Sequence, residues 1–273
     1  MRKTLGPKSK SRLIFARSFP YLINNSLLTH RNYIMINKNA RRQGFTLIEL
    51  LVVITIIGIL AGIAFVGFGD VFGTAGRTAA QKNLKTVYES LAAKTRNFPT
   101  TDTVSSADQF AAWFRTKTKD TRPELWFLPD DELVVELNED GNDGVPSNIP
   151  SDGSEFSATQ SAALGYAVAI PTAGDAKSRS FVTNLESGPF PILWTSGLDG
   201  ERWSDTSPWA GEGGHVLFSD GTVRWFEQTT NANGDGVFIK SVDKGEDKPE
   251  SFENTSSITD AVPSSWTIYD PRQ

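Results

Sequence analysis

The sequence predicts an α+β protein in which a long N-terminal helix, membrane-spanning in its first half, packs against a C-terminal antiparallel β-sheet head. Three observations carry that prediction. Phe45 to Val66 is a run of 22 residues with one charge, Glu49. A helical period returns between Thr78 and Pro99. Near the C-terminal end an Asp-Gly pair, Asp220-Gly221, separates two β-rich runs.

The first 44 residues are basic. They hold ten Lys/Arg and no acid, while the remaining 229 residues hold 17 basic and 32 acidic ones. A basic front, an apolar run and an acidic body predict an oriented membrane protein with the positive flank cytoplasmic and the body exported. A basic segment can also bind nucleic acid, but here the apolar run follows it directly, and no nucleic-acid partner is expected. The chain has no cysteine and two histidines, His30 and His215, so a disulfide framework, a thiolate nucleophile and a His-rich metal centre are all excluded. Met35 opens a compact basic stretch, MINKNARRQG, and is a second candidate start.

As a helix, the apolar run spans about 33 Å at about 1.5 Å per residue, enough for a hydrocarbon core of about 30 Å. It is too long and continuous for a cleavable signal core, and no A-x-A-like site follows it. A carboxylate inside such a helix costs roughly 2.5–3.5 kcal/mol on insertion scales, so Glu49 marks either a wet cytoplasmic end or a function. Its neighbours favour function. Arg41, Arg42, Gln43, Gly44, Phe45, Thr46, Leu47, Ile48 and Glu49 resemble the processing motif of type IV prepilins and type II secretion pseudopilins. The resemblance covers Gly44 through about Gly62.

That resemblance implies a prepilin peptidase that cuts between Gly44 and Phe45 and methylates the new N-terminus. It implies a filament of the chain's own copies and other pilins or pseudopilins, built at an inner-membrane assembly platform. Glu49 becomes the fifth mature residue. The absence of a side chain on Gly44 lets a protease approach the backbone, and the cut leaves a cationic amine on Phe45. In a low-dielectric bundle, Glu49 of one subunit paired with the Phe45 amine of another is far better than either charge alone. The expected organisation is a leader at 1–44, a transmembrane and assembly helix at 45–66, an amphipathic continuation at 67–98 and a head at 99–273.

Gly67, Gly69, Gly73 and Gly76 follow the apolar run. Each weakens a helix by up to about 1 kcal/mol relative to Ala, which predicts a kink or melted turn. Beyond them Ala80, Leu84, Val87, Leu91 and Ala92 recur at three- and four-residue steps. Pro99 ends the pattern. SSADQFAAWFRTKTK predicts a second helix with Ser106 at its N-cap, Asp108 in its first turn and Phe110, Trp113 and Phe114 on one face. ELWFLP (124–129) and ELVVEL (132–137) read as strands, or as one extended unit interrupted at Pro129.

Residues 138–156 have the Asn/Asp/Gly/Pro composition of a calcium loop without the EF-hand spacing. NANGDGVF (231–238) comes closer: Asn231, Asn233 and Asp235 alternate and Gly236 is sixth, but position twelve is Val242, so a plain turn competes with a weak calcium site. His215–Phe218 and Thr222–Phe226 around Ser219-Asp220-Gly221 predict a hairpin. It resembles the C-terminal hairpin of a large pilin-like bacterial family marked by a His, nine residues and Asp-Gly. Here the His position is Ala210, so the signature is incomplete.

Tryptophans 113, 126, 194, 203, 209, 225 and 266 read mostly as packing, with a surface-binding patch on Trp203 and Trp209 as the competing reading. The acidic, Ser/Pro-rich tail after Lys240 reads as loosely ordered. No Gly-rich phosphate loop, metal-ligand set, paired-carboxylate motif or nucleophile elbow stands out, so the chain reads as no enzyme, with no cofactor beyond possible calcium. A filament subunit is the expected function. A tethered module whose head binds a glycan or a secreted substrate is the alternative.

Overall fold

The computed structural model describes residues 46–95, 97–139, 141–173, 187–242 and 250–273, with the side chains of 61–74 left aside. The chain divides into two units, Met1–Val53 and Ile54–Gln273. In the first, the described residues are Thr46 and the opening turns of helix α1. In the second are the rest of α1 and the head.

Helix α1 (Leu47–Lys94) is continuous over 48 residues, so no turn melts at the four glycines. Its final third is amphipathic as the spacing predicts. Ala80, Leu84, Val87 and Leu91 are each fully buried, lining one face at helical steps. Helix α2 (Ala107–Thr118) buries Phe110 and Phe114, and Trp113 packs at its edge. Ser106 takes the N-cap position, but its hydroxyl turns to Asp108 rather than capping a backbone amide.

Two segments read as strands are not strands. In 124–129, Pro123 starts a 3-10 turn (Pro123–Leu125), and Leu125, Trp126, Phe127 and Leu128 are all at most 3% exposed. The Trp126 and Phe127 amides both donate to the Pro123 carbonyl, at 2.8 and 2.9 Å, which closes a turn where a strand would extend. Helix α3 (Glu132–Leu137) occupies 132–137. Asp131 caps it by accepting from the Leu133 amide at 3.1 Å, and Val134 and Leu137 are the buried residues. Their three-residue step is helical, whereas a strand would have buried 133, 135 and 137. A short helix α4 (Ala158–Ala162) follows, with a capping box between Ser157 and Gln160.

The head is built on one antiparallel sheet of five strands: β1 (Tyr166–Pro171), β2 (Pro191–Thr195), β5 (Gly214–Phe218), β6 (Val223–Phe226) and β9 (Trp266–Tyr269), in the order β6-β5-β2-β1-β9. Two small ribbons flank it: β3 (Leu198–Asp199) with β4 (Arg202–Trp203), and β7 (Phe238–Ile239) with β8 (Asn254–Thr255). A last short helix, α5, spans Ile258–Ala261. The predicted hairpin is present, with His215 opposite Trp225 and Leu217 opposite Val223. Gly221 closes its turn at φ +80°, a left-handed conformation that favours glycine, and donates to the Phe218 carbonyl at 2.9 Å.

Helix α1 meets the sheet through packing and a few polar contacts. Tyr166 donates to the Ala80 carbonyl at 3.3 Å, Lys85 to the Gly221 carbonyl at 3.0 Å, and Tyr88 to the Ser219 carbonyl at 3.3 Å.

The tail is ordered where it is described, against expectation. Strand β9 pairs with β1 over four positions, and Trp266 packs on Phe98 and Phe190. Past it, Arg272 forms an ion pair with Asp131 in which both side chains are at most 2% exposed. Asp270 accepts from the Gly197 amide at 2.9 Å. A charged, Ser-rich composition hides these anchors because each depends on a partner distant in sequence. Residues 243–249 lie outside the described residues.

Candidate functional site

The first described residues form a capping box. Thr46 precedes α1, and the Glu49 carboxylate accepts from both the Thr46 amide and the Thr46 hydroxyl at 2.8 Å. The Thr46 hydroxyl in turn accepts from the Glu49 amide at 3.3 Å. A helix start leaves four amides without intrahelical partners and carries a partial positive charge, and an acid three residues past a threonine cap answers both. The Thr-x-x-Glu spacing, local in the sequence, is the signal that marks this cap. The cap holds the carboxylate at the helix start, next to the position where a cut after Gly44 would leave an amine. Gly44 and Phe45 themselves lie outside the described residues, as do the leader and Met35.

From there the helix is apolar on every side. Eleven large hydrophobic residues between Leu47 and Leu60 are exposed, from 47% at Val53 to 81% at Leu47. A helix apolar all round belongs in lipid or among other helices. Among the described residues no helix is long and apolar enough to cross a membrane. The run with described side chains stops at Leu60, short of the roughly 20 residues a span needs.

The 231–238 loop folds on itself. The Asn231 side-chain oxygen accepts from the amides of Asn233 at 2.9 Å and Asp235 at 3.0 Å, and the Asn231 side-chain Nδ2 donates to the Asp235 carboxylate at 3.3 Å. The Asn231 backbone amide donates to the Asp235 carbonyl at 2.8 Å, and Thr230 and Gly236 form a bridge at the base. Among the described residues no three His, Cys, Asp or Glu side chains come together to hold a metal ion.

His215 is enclosed by aromatic rings: Trp225 at 4.9 Å and Trp209 at 5.6 Å between centroids. It is 4% exposed, and Nδ1 has no hydrogen-bond partner. Burial, helped by the nearby Arg77 charge, lowers its pKa to about 4. Arg77 of α1 lies over the Trp225 ring at 4.5 Å and pairs with Glu212, tying the helix to the hairpin. Trp203 and Trp209 are 3% and 7% exposed. Trp203 donates to the Thr195 carbonyl at 3.2 Å, and Trp209 stacks edge-on against Trp225. A surface-binding patch on these two rings is therefore corrected to core packing.

The features that single out this chain are thus at its helix start, and there it is similar to known proteins. Residues 39–65 match the family model described as the prokaryotic N-terminal methylation motif, so the chain carries a prepilin-type N-terminal motif. Over 50 residues it is 48% identical to the type IV major pilin protein PilA of Myxococcus xanthus (strain DK1622), a stretch covering 18% of this chain and 23% of that protein. The chain thus spans under a quarter of the length of the relative it matches. No solved structure matches.

Proposed function

We propose that this chain is a structural subunit of a type IV pilus-like or type II secretion pseudopilus filament. The leader 1–44 is removed by a prepilin peptidase, and the Phe45 amine is methylated. The helix 45–66 first holds the subunit in the inner membrane as a single pass with the head outside. It then leaves lipid and buries against sister helices, where shape and van der Waals packing drive association because lipid is already as apolar as leucine. Glu49 supplies register by meeting the Phe45 amine of a neighbouring subunit.

The observation that carries this reading is the exposed apolar surface of Leu50–Leu60 immediately after a capped carboxylate. The motif at 39–65 supports processing after Gly44. Calcium at Asn231, Asn233 and Asp235 is no part of the proposal, since the Asn231 side-chain oxygen already accepts from two backbone amides of its own loop.

Intact mass of the membrane-extracted protein tests processing: the expected species begins at Phe45 and carries one added methyl group. A Glu49→Val variant is expected to be cut and then to fail in assembly. A mature protein that retains residues upstream of Phe45, or a Glu49→Val variant that assembles normally, overturns the corresponding step. Co-purification with a pilus or a secretion ATPase system separates the two machines. The tethered binding module is separated by deleting the head and asking whether filaments still form.

A further inference from the structure

A groove of about 550 Å³ lies between α3 and the 205–212 loop. Its apolar lining includes Leu133, Val135 and Trp209, and its charged lining Asp130, Glu132 and Asp205. Val135 is 53% exposed, the most exposed of the three large hydrophobics, with Ile239 and Phe252, that the described head leaves at its surface. None of the three carboxylates has a basic partner among the described residues. Glu212, also in the groove, is taken by Arg77. The groove thus offers an apolar wall and three unneutralised negative charges.

The opposite chemistry sits at the end of α2. Arg115, Lys117 and Lys119 fall within five residues, and no acid occurs from 109 to 119. Lys117 and Lys119 are exposed, and Trp113 is packed at the edge of the core beside them. The helix dipole accounts for basic residues in the last turn, but Lys119 lies past it, in a left-handed conformation at φ 64°. Lys119 and Ala210, at φ 47° on the groove, are the two non-glycine positions of positive φ among the described residues.

We infer that the groove of one copy receives the α2 C-terminal turn of a second copy of this chain. The surfaces differ, so the contact is heterologous, and a heterologous contact repeats into a ring or an open helical array. Charge complementarity then fixes orientation and adds a salt-sensitive step to assembly. The inference rests on the filament reading and extends it from the helix to the head.

The full chain has no cysteine, so introduced thiols are unique. The test uses a Val135→Cys, Lys119→Cys variant of the full chain, made in cells that assemble it and treated with a short bis-maleimide. Dimers and a ladder are expected from this pair, and neither from the single variants nor from Ile239→Cys with Lys119→Cys. In the cross-linking background, Glu132→Lys is expected to reduce the adduct about tenfold, as a like-charge contact replaces an opposite one, and Lys117→Glu to restore it. Filaments that form without the adduct, or with equal adduct from the Ile239 pair, overturn the groove and leave the filament reading standing. Absent adduct together with unprocessed protein sinks both.

Discussion

His215 shows how one side chain sets a pH limit on the head. In the folded protein it stays neutral down to about pH 4, whereas in the unfolded chain it takes a proton near its ordinary 6.5. A group with a depressed folded pKa that is charged when protonated favours the fold above the unfolded value. That contribution is lost as pH falls from 6.5 toward 4, because the unfolded chain binds the extra proton. The ceiling is about 3 kcal/mol at about 1.4 kcal/mol per unit. A His215→Phe variant keeps an aromatic ring between Trp209 and Trp225 but removes the proton. Its thermal midpoint in detergent is expected to fall less steeply over that window than that of the parent; equal slopes would show that carboxylates alone govern the loss. The other buried charges behave differently. Burial raises the Asp131 carboxyl above its ordinary range, and Arg272 draws it back. Asp270 is raised mainly by burial as well. At this scale the sequence was partly readable. Thr46 and Glu49 are three residues apart and state their cap locally, while Asp131 and Arg272 pair across 141 positions and no local pattern announces them.

At the scale of elements, the turn between β5 and β6 is where helix and sheet are fastened. A Cβ on Gly221 would sit 2.4 Å from the Tyr88 ring while the backbone stays at φ +80°. Gly200, at φ +60°, has nothing within 4 Å of the same atom. Gly221→Ala is therefore expected to cost more than Gly200→Ala, which bears only the left-handed penalty of about 1–2 kcal/mol. Denaturant midpoints of the two variants decide it, and equal losses would mean that Tyr88 yields freely. The α1 face was legible because its 3.6 period runs through buried positions at regular spacing, and the hairpin because Asp220-Gly221 marks its turn between β-rich runs. ELVVEL misled because adjacent valines suggest a strand, whereas Asp131 ahead of it starts a helix. The tail misled through composition: Trp266, Ile268 and Tyr269 are enough to make a strand once β1 offers an edge.

For the whole molecule, the described core runs from Ala80 to Trp266 without a break into separate clusters. Ending the chain at Pro263 removes β9 and the Arg272 partner of Asp131. Such a head is expected to be digested rapidly by trypsin under conditions where the parent resists. A resistant truncated head would show that the four-strand remainder stands alone.

The placement of β9 also has a temporal consequence. Strand β1 is synthesised with its outer edge bare, and the segment that covers it follows roughly ninety-five residues later, a separation of the kind that slows folding. During that interval the chain presents an open row of amides and carbonyls. The growing chain is thus most exposed to wrong pairing between the synthesis of Pro171 and that of Trp266, and a holdase would find its substrate in that window.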